Sequence, residues 1–255
     1  MHTDLRVWLD HFEYHADRRC ALPEGPPDDL TPYERRLIGR SLASFQLAEQ
    51  IDGPSLMRAA RRYEQEHDAA PLGQIVALLV AEQNHHAALL AAFMKQHAIP
   101  RRRADWIDRA ARRAHGLMGF ELQIARLVSA KLIGKVYYRA LEAATGCRQL
   151  QTLCRILVAD ELAQVGFESD LLREMYARKT PLARAAHATV HRVFFVNAAL
   201  AVWLGHSRVL RAAGHGARSF VSACLAQYAF YLDEPRLDAP RRIARDIHED
   251  ARLPG

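Results

Sequence analysis

Four stretches of this 255-residue chain set ionisable or amide side chains in the middle of otherwise apolar helical stripes. In the first, Ile38, Leu42, Phe45, Glu49, Leu56 and Tyr63 recur at helical spacing, so Glu49 falls among apolar neighbours. The second reads in two registers one residue apart: Leu72, Val76, Leu79, Gln83, His86, Leu90 and Phe93, or Ile75, Leu78, Glu82, His85 and Leu89. In either register a histidine follows Glu or Gln by three residues. That spacing puts imidazole and carboxylate one turn apart on one helix face, where both can reach a single metal ion. The third stripe runs Phe120, Ile124, Leu127, Lys131, Gly134, Tyr138, Leu141, and the fourth Cys154, Leu157, Glu161, Gln164, Leu171. Lys131, Glu161 and Gln164 are therefore expected to face inward. Isolated ionisable groups are costly to bury and normally neutralise or find partners, so the four interruptions predict a polar cluster.

The elements that carry these residues read as helices throughout. Alternating strand patterns are nearly absent, whereas apolar residues three and four apart recur along the chain, and an all-α fold follows. A first helix is expected over about 5 to 19, ending before the proline-rich loop 22 to 29. Thr31-Pro32-Tyr33-Glu34 reads as a capping box with proline at the first helical position. Four long patterns follow at about 31 to 66, 70 to 97, 104 to 143 and 147 to 178. Gly53-Pro54 is expected to kink the first, and Gly116 or Gly119 to interrupt the third. Two more helices, about 181 to 212 and 217 to 233, precede a polar tail. The division expected is an N-terminal helix and loop over 1–30, a bundle over 31–178, a helical pair over 179–235 and a tail over 236–255.

The motifs Phe45-Gln-Leu-Ala-Glu49, Ala81-Glu-Gln-Asn-His-His86, Val136-Tyr-Tyr-Arg-Ala-Leu141 and Asp160-Glu-Leu-Ala-Gln164 make residues 31 to about 172 resemble the ferritin-like di-iron carboxylate superfamily, particularly its bacterial members of poorly defined function. The resemblance implies a ferritin-like four-helix bundle, here with an N-terminal helix and two additional C-terminal helices. It also implies a site built from one Glu on each of two helices and a Glu-x-x-His pair on each of the other two. Carried over by position, Glu49 and Glu161 match ligand carboxylates. Lys131 stands where a glutamate is implied, and Gln164 where a histidine is implied. On the second helix the spacing to Leu90 and Phe93 favours His86 as the histidine, leaving Gln83 at the carboxylate position; by chemistry alone, Glu82 with His85 is the intact pair.

Such a site balances four carboxylates against two divalent irons. Here Glu49 and Glu161 with Lys131 and a protonated His86 sum to zero without metal, and the Glu82/His85 register leaves about one negative charge. An ammonium about 4 Å from an incoming cation costs on the order of 4 kcal/mol per unit charge at an effective dielectric near 20. No ordinary di-iron centre is expected; Glu49, Lys131, Glu161, Gln164 and the second-helix histidine are expected to form a hydrogen-bonded network. The rival reading is an oxidoreductase or oxygenase of di-iron type holding one iron, or an atypical pair, through Glu49, Glu82, His85 and Glu161, with Tyr138 and His206 as pocket neighbours. A third is a non-catalytic binding or assembly module whose partner, a small molecule or a protein, a homodimer included, meets the basic surface or the two helices at about 181 to 212 and 217 to 233.

The remaining features bound these readings. The net charge is +6 and half the residues are hydrophobic. The arginine run at Arg101, Arg102, Arg103, Arg109, Arg112 and Arg113 reads as a solvated connection in preference to a nucleic-acid surface. Cys20, Cys147, Cys154 and Cys224 form no CxxC pair, and the first twenty residues lack the apolar centre of a secretory signal, so a reduced, cytoplasmic setting is expected. The most apolar run, residues 193 to 205, is about thirteen long against the roughly 20 needed for a membrane span. His187 with His191, and His11 with His15, are four apart but show no third ligand in sequence. No phosphate loop or GxSxG elbow is present.

Overall fold

A computed structural model describes residues 4–26, 29–50, 53–102 and 119–233, and among these there is helix but no strand. The chain packs as two compact units. One comprises Asp4–Gln123 with Cys147–Leu150, the other chiefly Ile124–Gly146 with Gln151–Gly255. The dividing line runs through the segment read in sequence as a single bundle.

In the first unit, α1 (Leu5–Ala16), α2 (Pro32–Ala48) and α3 (Gly53–His67) all pack on α4 (Leu72–Gln96). Helix α1 starts at Asp4, whose carboxylate accepts from the Arg6 and Val7 amides at 3.2 and 3.3 Å, and it buries Trp8, Leu9 and Phe12. Both halves of the capping box close at the start of α2: Glu34 N donates to Thr31 Oγ1 at 3.2 Å and Thr31 N donates to Glu34 Oε2 at 3.0 Å. Where one kinked helix was expected over 31 to 66, there are two. Glu49 N closes α2 on Phe45 O, and Pro54 sits in the first turn of α3, where a missing N–H costs nothing.

Helix α4 is the axis of this unit. It starts at Pro71 without a side-chain cap of its own, and Glu64 of α3 fills that role by accepting from Gly73 N at 2.6 Å. A carboxylate there satisfies an orphan amide and complements the helix dipole. The loop after α1 is pinned against the unit by Gln96 Nε2 on Gly25 O (2.8 Å) and Gln149 Nε2 on Pro23 O (2.7 Å). Gly25 is required here, because a Cβ would lie 2.7 Å from Gln149 Cβ.

The second unit takes most of α5 (Phe120–Ala143) and α6 (Arg148–Ala177), then α7 (Pro181–Ala212), α8 (Ala217–Tyr228) and a closing π-helical turn, Ala229–Asp233. Thr180 caps α7 and Pro181 takes its first position. One face of α7 is held inward by Phe195 against the Tyr228 ring (centroids 4.8 Å apart), by His191 on Ser129 of α5, and by His206 against Tyr137 of α5. The opposite face is open: Leu182, Val190, Val193, Phe194, Leu200 and Leu204 are exposed. Counted over a window instead of an unbroken run, α4 and α7 are both long and apolar enough to cross a membrane; half of the α4 window is buried, but only 22% of the α7 window. The tail after Pro235 and the Arg103–Arg113 part of the basic run lie outside the described residues.

Candidate functional site

Each unit holds its own group of buried polar side chains. In the first, Glu49 closes the C-terminal end of α2 and α4 presents Gln83 to it, the amide Nε2 donating to Glu49 Oε2. Glu49, Gln83 and His86 are buried, whereas Glu82 and His85 are only half-buried. The inward register of α4 is therefore Gln83 with His86. His85 turns to the loop instead, where its Nε2 lies 2.8 Å from Cys20 O, so it does not form the inward-facing pair with Glu82 that chemistry alone would suggest. Gln46, one turn before Glu49, donates to Ala87 O at 3.2 Å and ties α2 to α4 beside this pair.

In the second unit the organising group is Lys131. Its side chain is 4% exposed, and its Nζ donates to Gln164 Oε1 and to Glu168 Oε1, both at 2.5 Å. Lys131 lies mid-way along α5, while Gln164 and Glu168 are one turn apart on α6, so a single ammonium bridges two successive turns of the facing helix. Burial pushes the Glu168 carboxyl above the usual carboxylate range, and the charges of Lys131 and of Arg126, five residues earlier on α5, pull it partly back. Burial also lowers the Arg126 guanidinium against the opposing effect of Glu168. Glu161 lies one further turn along: a Cβ on Gly134 would stand 4.0 Å from its Oε2 and 3.9 Å from the Tyr138 ring. Lys131 and Arg126 are the cations whose charge acts on Glu168, and Glu161 is buried on the same helix as Glu168.

Glu168 is the residue that sequence reading missed. It occupies the stripe position between Gln164 and Leu171, seven residues after Glu161, so the spacing that singled out Glu161 and Gln164 points equally to it. Of the network expected for Lys131, the Gln164 contact is present, and the carboxylate directly bonded to the ammonium is Glu168.

The other candidates have separate surroundings. Tyr138 is fully buried, with its ring edge-on to Tyr137 at 5.6 Å. His206 packs on Tyr137 at 5.3 Å, and burial drives its imidazole down to about 4. His191 is buried 2.9 Å from Ser129 Oγ, whereas His187 is exposed beside the Tyr176 ring, so these two do not clamp one ion. The His11 and His15 rings stand 4.3 Å apart; burial first, then the neighbouring His15, takes His11 down to about 4. Among the described residues no third ligand joins that pair.

The side chains at the implied ligand positions do not fit a pair of irons. Lysine, bonded through its ammonium, offers no lone pair. The amides of Gln83 and Gln164 are neutral and weak donors in place of a carboxylate and an imidazole, and two carboxylates remain where four would balance two divalent ions. Comparison with known proteins finds no matching family model, no similar curated protein and no similar solved structure.

Proposed function

We propose that this chain is a ferritin-like helical protein in which the di-iron centre has been replaced by an internal ion pair, and that it works by binding instead of by oxidation. The observation that carries this reading is the buried Lys131 ammonium bonded to Gln164 and Glu168. A lysine at a ligand position would remain a mere substitution if its side chain escaped to solvent. Held 4% exposed and matched by a carboxylate that the family resemblance does not require, it supplies from within the chain the positive charge that metal would otherwise bring. Gln83 on Glu49 has the same sense, since an amide donor takes a hydrogen-bonding role that a metal–ligand bond would fill.

Anaerobic loading of the full chain with ferrous iron, exposure to oxygen and elemental analysis of the desalted protein test the proposal. The expected result is far fewer than two irons per chain and no coloured ferric species. Two irons per chain would end it. A single iron with a ferric absorption band would instead favour the one-metal oxidoreductase.

A further inference from the structure

From the open face of α7 and the charge around it, we propose that this protein docks on anionic lipid surfaces, with α7 lying in the interface plane. Three observations bear on it. The first is apolar area: Leu182, Val190 and Leu204 are 83%, 66% and 69% exposed, and Val193, Phe194 and Leu200 are exposed between them. At 100° per residue Ala186, Val190, Val193, Asn197, Leu200 and Leu204 fall on one line along the helix, opposite the side that holds His191, Phe195 and Ala199 against the rest of its unit. A helix of 32 residues is about 48 Å long, so the stripe is far longer than the scattered exposed leucines of an ordinary surface.

The second observation is charge. Residues 175–232 contain no Asp or Glu but carry seven basic residues, Arg178, Lys179, Arg184, Arg192, Arg208, Arg211 and Arg218. Arg178 is paired with Glu174 and Arg192 with Asp233, each at 3.0 Å. Arg184, Arg208, Arg211 and Arg218 have no carboxylate partner among the described residues. Arg208 and Arg211 continue the line of the open stripe at its C-terminal end, whereas Arg184 falls on the opposite side of the helix, in line with His191. An apolar stripe that runs into two arginines with no carboxylate partner among the described residues matches a surface that offers acyl chains beneath phosphate groups. The same charge opposes a second copy of α7 aligned in parallel, because that alignment sets Arg208 and Arg211 of one helix against the same pair in the other.

The third observation separates lying on a membrane from crossing it. The inward side of α7 is used: Phe195 on Tyr228, His191 on Ser129 and His206 on Tyr137 keep it packed in its own unit. Crossing would require breaking those contacts, whereas surface docking uses only the face they leave free.

Flotation of the full chain with vesicles of pure phosphatidylcholine, or of phosphatidylcholine mixed equally with phosphatidylglycerol, tests this. The protein is expected to float with the mixed vesicles and not with the neutral ones, and to be released by high salt. Arg208→Gln with Arg211→Gln should weaken partitioning about 25-fold, at about fivefold for each basic residue. Leu200→Gln with Leu204→Gln should weaken it at least about tenfold per site. Far-UV circular dichroism checks that each variant keeps its helices, and if the leucine variant does not fold, the arginine variant and the salt titration decide alone. Failure to float with either vesicle overturns the proposal, as does equal, salt-independent binding to both. So does a lipid-free dimer that the leucine substitutions convert to monomer, which would assign the stripe to a second copy.

Discussion

Removing the lysine ammonium from the second unit gives the sharpest test of what holds that core. At 2.5 Å between Lys131 Nζ and Glu168 Oε1, the attraction is on the order of 7 kcal/mol at an effective dielectric near 20. Taking two ions out of water costs several kcal/mol each, so the intact pair adds little net stability. Lys131→Met leaves the Glu168 carboxylate buried without its direct partner and should cost about 3–5 kcal/mol at neutral pH. Glu168→Leu alone should cost a similar amount by orphaning the ammonium. The double variant should fall within about 2 kcal/mol of the parent chain, well short of the sum of the singles. Acid supplies an independent check. A carboxyl whose folded pKa is raised above its unfolded value contributes stability below the ordinary carboxylate range and loses it as pH rises through the raised value. The deficit of Lys131→Met relative to the parent should therefore shrink as pH is lowered toward 4.5 and grow toward neutrality. Urea unfolding followed by circular dichroism across that range measures it. A cost under about 1 kcal/mol at pH 7, a deficit independent of pH, or a double variant as unstable as both singles together would refute the reasoning.

Other perturbations read separate parts of the structure. Lys131→Glu with Gln164→His should raise iron uptake only when Glu168→Gln is added, since a new carboxylate beside Glu168 is otherwise repelled; elemental analysis of the double and triple variants after ferrous loading compares them. His206 is held neutral by burial, so its share of stability is complete above 6.5 and is lost as pH falls from there through about 4. That share amounts to about 2 kcal/mol between pH 7 and pH 5, and His206→Phe should remove this part of the acid sensitivity in urea titrations at the two pH values. Gly134→Ala should stabilise the chain by about 0.5–1 kcal/mol by relieving glycine in a helix interior, because the added methyl meets Tyr138 and Glu161 only at ordinary contact distances of 3.9 and 4.0 Å; a thermal melt shows the sign.

Helices were readable wherever a local signal marked their ends. Thr31 and Glu34 announce the start of α2, and Thr180-Pro181 the start of α7, because capping chemistry is complete within four residues. The break between α2 and α3 was misjudged because Gly53-Pro54 allows either a kink or a fresh start, and that choice belongs to the packing of each half on α4. Burial of Lys131, Glu161 and Gln164 followed from their places in a stripe. Membership in a stripe says that a side chain faces inward, but not which group it meets. Glu168 shows the gap: periodicity includes it, yet only the distance across to α5 makes it the partner of Lys131. The same applies to His191, whose bond to Ser129 joins residues 62 apart in sequence.

That α7 could meet a partner was among the readings of the sequence, but its open face was obscured by a different confusion, between hydrophobicity and burial. An alanine- and leucine-rich helix near the end of an all-helical chain reads as one more core element, and a count of unbroken apolar residues made it look short. Its residues in fact fall into two sets. His191, Phe195, Ala199, Val209 and Leu210 pack inward, while Leu182, Val190, Val193, Phe194, Leu200 and Leu204 remain exposed. A helix apolar on both sides and used on one must have its second side covered when the protein works, or that side becomes a liability for aggregation. The absence of any acid between Met175 and Leu232 narrows what can cover it, because an electroneutral or basic surface would leave the arginines uncompensated. The core of this unit and its surface thus follow one electrostatic rule. Lys131, buried, carries its counter-charge within the chain at Glu168, whereas Arg208 and Arg211 at the end of the open stripe have no carboxylate partner among the described residues, which is the charge an anionic surface would meet.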